Sequence, residues 1–141
     1  MSVPVNERSH SKLEACVKAH GLCVYTLRIT ANKKIFTEQF QQVLTDRIND
    51  AALGIHLKAW NANNVLVNSA EDMQKRLALQ ENAAIECNTL LSLMEIAKTV
   101  FHLSGKRVQY WGNLTIETRN LIRAWRESDR KRYSARFRGV G

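Results

Sequence analysis

Residues 110–138 read YWGNLTIETRNLIRAWRESDRKRYSARFR, and their periodicity decides the fold. Trp111, Leu114, Thr118, Leu121, Ile122 and Trp125 recur three and four residues apart and so share one face of a helix. Arg119, Arg123, Arg126 and Arg130 make a second stripe, spaced four, three and four. At ~100° per residue that stripe lies roughly 120° around from the apolar centre. One side of such a helix packs; another can meet an anion.

Working outward, the same periodicity appears three more times. Leu13, Cys16, Val17, His20, Val24 and Leu27 define a first helix, with Ser9 or Ser11 as its expected cap. A second helix is expected from about Thr37 to Asn63, with Phe40, Leu44, Ile48, Ala51, Ile55 and Ala59 inward. Ala51 and Ala52 would let a neighbour approach closely, and the asparagines at 61, 63 and 64 suit a left-handed helix end. Ser69, followed by Glu71 and Asp72, reads as the start of a third helix. Its stripe is Ala83, Cys87, Leu90, Met94, Ala97 and Phe101, with Ser104-Gly105 as the expected stop. The last helix then runs from about Arg107 to Arg132. Four amphipathic helices with short connections predict an all-α, antiparallel up-down-up-down four-helix bundle. The expected division is a flexible leader over 1–8, the bundle over 9–133 and a basic flexible tail over 134–141. One proline and six glycines in 141 residues argue against an all-β fold.

Charge is unevenly placed. Residues 119–141 hold eight Lys/Arg and two acids, so +6 of the chain's +8 sits in the last sixth of it. That asymmetry points to a polyanion: RNA, DNA or an acidic protein surface. Arg119, Arg123, Arg126 and Arg130 are the expected ordered phosphate contacts, with Lys131, Arg132, Arg136 and Arg138 as mobile ones. Asp129 lies one turn past Trp125 on the apolar face, where a lone acid is out of place. It is expected to pair with a basic group of a neighbouring helix or subunit, and is carried as an oligomer or partner contact. Trp111 and Trp125 belong to the core; Trp60 is either packed between helices or an exposed ring for base stacking.

Motifs of catalysis are missing. There is no phosphate-binding glycine loop, serine elbow, paired-cysteine redox site or His-Glu zinc helix, and no enzyme is expected. Cys16, His20 and Cys23 at i, i+4 and i+7 could face a metal, with Cys87 as fourth ligand, but cysteines on so apolar a helix are equally core residues. No cofactor or metal is expected. No run reaches the roughly 18 apolar residues of a membrane span, and the N-terminus lacks signal-peptide order, so a cytoplasmic location is expected.

Several segments carry a resemblance. They are Tyr25-Thr26-Leu27-Arg28-Ile29-Thr30 leading through Lys33-Lys34-Ile35-Phe36, and Arg47-Ile48-Asn49-Asp50-Ala51-Ala52-Leu53. Two more are Leu90-Leu91-Ser92-Leu93-Met94-Glu95-Ile96-Ala97 and Trp125-Arg126-Glu127-Ser128-Asp129-Arg130-Lys131-Arg132. In this order they resemble the accessory variability determinant proteins of diversity-generating retroelements. More distantly, they resemble the bundle proteins encoded in intervening sequences of bacterial ribosomal RNA genes. The likeness covers roughly residues 13–133. It implies a non-catalytic, basic homopentameric ring that binds a reverse transcriptase and structured template RNA and supports mutagenic complementary-DNA synthesis. The alternatives are a stand-alone RNA-binding bundle and an adaptor docking on an acidic protein.

Overall fold

The computed structural model describes residues 5–137, with side chains described from residue 12 onward. Its helices are α1 (Val5–Thr30), α2 (Asp46–Asn63), α3 (Ala70–Val100) and α4 (Gly105–Arg136). Each packs against two neighbours, α1 on α2, α2 on α3, α3 on α4 and α4 back on α1, which closes a four-cornered antiparallel bundle. The described residues contain no strand, and none of their helices is long and apolar enough to cross a membrane.

Helix ends follow local chemistry, with some corrections to expectation. The Ser69 hydroxyl accepts from the Asp72 N–H (3.1 Å), and Asp72 Oδ2 accepts in return from the Asn68 N–H (3.0 Å). The two bonds satisfy N–H groups that the first turn of α3 leaves open. The stop of α3 lies earlier than Ser104-Gly105. Phe101 caps it, His102 takes the left-handed conformation (φ 54°), and the Leu103 N–H reaches back to the Lys98 carbonyl (3.2 Å). That is a Schellman closure made without glycine. Ser104 instead begins α4, its hydroxyl accepting from the Arg107 N–H (3.2 Å). Asn64, at the end of α2, keeps a right-handed φ of −90° and folds its side-chain amide onto the Trp60 carbonyl (3.0 Å). Helix α1 runs through Ser9 and Ser11 rather than starting at them, and α4 continues to Arg136, inside the stretch assigned to the tail.

The second helical segment is regular only from Asp46. Before it lie a single 3-10 turn (Glu38–Phe40) and a π-helical turn (Gln41–Thr45). This wider, irregular start still delivers Leu44 and Thr45 to the interior.

Core composition differs by corner. Ile48, Ala51, Ala52, Ile55, Ala59 and Ala62 from α2 meet a core that includes Ala83, Ala84, Cys87, Leu90, Met94 and Ala97 from α3. Small residues dominate on both helices, so their axes can lie close. At Gly54 a Cβ would stand 2.7 Å from Glu86 Oε2, so this glycine keeps room for a side chain of α3. From α4, Trp111 and Trp125 fill the interior as expected. The Trp111 indole N–H donates to the Thr26 hydroxyl (3.0 Å), which donates onward to the Leu22 carbonyl (2.8 Å). The buried Thr115 and Thr118 bond back to the carbonyls of Trp111 and Leu114 (2.8 Å each), so no hydroxyl among them is stranded.

The first helix gives the clearest correction. Its inward residues are Ala15, Ala19, Leu22, Cys23, Thr26 and Thr30, whereas Leu13 and Val17 are 61% and 58% exposed. The leucine-valine stripe marks the outer side of α1. Close packing makes one prediction. Ala84→Leu, with no void to receive three added carbons, should lower unfolding stability by about 1–3 kcal/mol, read as a reduced urea midpoint at unchanged m-value.

Candidate nucleic-acid interface

Helix α4 lies between α1 and α3, and its arginine stripe falls on the α3 side. Arg119 Nη1 donates to Asn88 Oδ1 (2.9 Å). Arg126 Nε donates to the Leu77 carbonyl (3.1 Å) and lies 3.7 Å from Glu81 Oε2. Arg130 grips Glu127 through Nε and Nη2 (2.9 and 2.7 Å), an exposed pair that holds the Glu127 carboxyl below its usual range. Arg123 is exposed and has no hydrogen bond or ion pair among the described residues, and the same holds for Lys131. The stripe is therefore one row along the α3–α4 seam, partly anchored and partly open.

Three of the residues read as mobile contacts behave otherwise. Lys131, Arg132 and Arg136 sit on α4 itself. Arg132 Nη2 donates to Asp129 Oδ1 (2.9 Å) and to the Tyr133 hydroxyl (2.6 Å), with its guanidinium 4.3 Å from the Tyr133 ring centre. Arg136 donates to the Val67 carbonyl (3.0 Å). Helix α4 continues because Tyr133 and Phe137 pack on a small second cluster of Val67, Met73 and Leu77. Arg138 lies outside the described residues.

Asp129 is the most buried acid of the site, 3% exposed. Its Oδ2 accepts from Arg76 Nε and from Gln80 Nε2, both at 2.7 Å, and its Oδ1 takes Arg132. The neighbouring-helix pairing expected for it is present. The role as an oligomer or partner contact is corrected, because both oxygens are committed within the chain. Arg76 is spread over several elements. Nη1 reaches the carbonyls of Ala62 and Val65 (3.4 Å each), and the guanidinium lies 5.4 Å from the Trp125 ring centre. Sequence reading passed over Arg76 and Gln80. A signal existed: they continue the Ala83-Cys87-Leu90 stripe backwards at spacings of three and four, so they occupy core positions of α3.

The cysteine-histidine set does not converge. Cys23 is in the core, while Cys16 and His20 line a cleft between α1 and α2. Among the described residues no group of three His, Cys, Asp or Glu side chains could hold a metal ion. Burial pushes all three thiols up, Cys87 to about 12, so none of them is a ready thiolate. Across the cleft, His20 and His56 meet edge to face with ring centres 5.5 Å apart. Desolvation, then the neighbouring His20, lowers the His56 pKa below its ordinary 6.5.

No protein-family model, curated protein or solved structure matches the chain.

Two outcomes follow from this geometry. Asp129→Ala strands Arg76 in the interior and should cost about 3–5 kcal/mol of unfolding free energy, whereas the oligomer mass should not change. Chemical denaturation and light scattering measure the two. The depressed His56 pKa makes the folded state prefer neutral imidazole, so its contribution is complete above the unfolded pKa. It is lost as pH falls through the folded value. Denaturation midpoints should decline on acidification below about 6.5, and His56→Gln should flatten that part of the profile.

Proposed function

We propose that this chain is a non-catalytic, RNA-binding accessory protein of a diversity-generating retroelement. In this reading it assembles as a basic homopentameric ring that holds reverse transcriptase and structured template RNA. The observation that carries the reading is the basic row on α4. Arg119, Arg123, Arg126 and Arg130 follow one side of a rigid helix over about three turns, and Lys131 extends the charge. Anchoring one nitrogen of Arg119 or Arg126 fixes the side chain and still leaves donors for an anion, because a guanidinium carries five. Arginine suits the task, since its planar fork spans two phosphate oxygens and also stacks on bases.

The resemblance supplies the partners. The polymerase performs the chemistry and the bundle supplies a scaffold that repeats the basic row by symmetry. Repetition raises the effective concentration of phosphate contacts without any new contact per subunit. Phosphate contacts set affinity and not sequence choice, so preference for one RNA resides in its fold or in the polymerase.

The test is RNA binding by fluorescence anisotropy over a salt series, with oligomer mass followed in parallel. Wild type should bind with a steep salt dependence. Arg123→Ala/Arg130→Ala/Lys131→Ala should bind more weakly, its log–log slope shallower by about 0.7–0.9 for each phosphate contact removed. Absence of binding at physiological salt overturns the RNA reading and leaves an acidic protein as the partner of the row.

A further inference from the structure

On the opposite side of the molecule from the α3–α4 seam, α1 and α2 enclose a cleft of about 330 Å³. Leu13, Cys16 and Val17 from α1 form one wall; His56, Trp60 and Asn63 from α2 form the other, with His20 between them. Trp60 is 55% exposed, whereas Trp111 and Trp125 are buried. Its ring is the end of an aromatic series: His20 meets His56 at 5.5 Å, and His56 meets Trp60 at 6.4 Å and 36°. Lys12 lines the same cleft.

A second, independent feature lies in the cleft. Asn63 Oδ1 is buried and has no hydrogen-bond partner among the described residues. A buried acceptor without a donor is costly, and an apolar plug from another protein would leave it so. The ligand that answers all these groups has a flat π-face, N–H donors on its edge and an attached negative charge.

We propose that the α1–α2 cleft is a binding site for one unpaired nucleobase of an RNA strand. The base stacks on Trp60, donates an exocyclic amino or ring N–H to Asn63 Oδ1, and leaves its phosphate near Lys12. Sequence-tolerant stacking on an aromatic ring is how single strands are held apart from duplexes. Neutral His56 suits the site, because an uncharged imidazole beside Trp60 keeps the cleft apolar at pH 7. The inference rests on the RNA reading above and adds to it the class of RNA: the phosphate row on α4 accepts any strand, while this cleft demands an unstacked base.

The experiment compares wild type, Trp60→Ala and Trp60→Phe on a single-stranded RNA and a blunt duplex RNA, by anisotropy with a salt series and with oligomer mass. Trp60→Ala should weaken single-strand binding by on the order of tenfold or more, leave the salt slope unchanged and leave duplex binding as it was. Trp60→Phe should retain most of the affinity. Circular dichroism establishes that both variants fold. An undiminished single-strand affinity in Trp60→Ala, or an equal loss on duplex, overturns the proposal. A fall in oligomer mass also overturns it and assigns the face to a second copy. A titration of indole fluorescence with adenosine 5′-monophosphate separates the two readings. Quenching in wild type and none in Trp60→Phe supports the cleft even if α4 binds no RNA. A steep salt-dependent RNA affinity with no quenching removes the cleft and leaves the α4 reading standing.

Discussion

A buried carboxylate sets the terms for one end of this bundle. Asp129 enters the interior one turn after Trp125, where an unpaired charge would cost several kcal/mol. It is tolerated because every side of it is met: Arg76 and Gln80 from α3, and Arg132 from its own helix. Arg76 must in turn be placed, and its other donors go to the carbonyls of Ala62 and Val65 at the end of α2. Four segments are therefore tied through one ion pair. The same group, lying against Trp125 and Tyr133, explains why α4 remains helical past the main core. A hydrophobic pair of similar volume could match its stability, but would not fix α4 against α3 in one register.

Register matters because the basic row lies along that seam. Arg119 and Arg126 contact Asn88 and the Leu77 carbonyl, groups whose positions are set by how α3 sits on α4. The interior ion pair and the exterior charge pattern are two sides of the same helix–helix contact. Acids on the seam, Glu81 and Glu127, offset part of the charge and hold guanidinium groups in place. The open charges, Arg123 and Lys131, project from a surface that is already ordered, so binding an anion there immobilises few side chains.

The opposite side shows how volume can override hydropathy. On α1 the most apolar-looking stripe, Leu13, Val17 and Leu27, is outside, while alanines and threonines are inside. The large rings of Trp111 and Phe36 already occupy the space between the helices, so α1 can approach only through small side chains. What remains outside is a second apolar face, continued on α2 by Leu53, Leu57 and Trp60. Such a face is uncommon on a chain with nothing to bind there.

Periodicity by itself determined a good deal. The four helices, the inner faces of α2 and α3, the interior places of Trp111 and Trp125 and the Ser69 cap were all legible, because helix period and capping are properties of neighbouring residues. The basic row on α4 was legible for the same reason. Tertiary structure decided the rest. Which stripe of α1 turns inward depends on the bulk it meets; whether Asp129 pairs with a helix or a subunit depends on Arg76, 53 residues away. Which arginines stay open depends on the acids and carbonyls of α3. The cleft at Trp60 exists only where α1 and α2 come together. Local sequence states what each helix can present; only the packing of one helix on another states which of those faces is left uncovered.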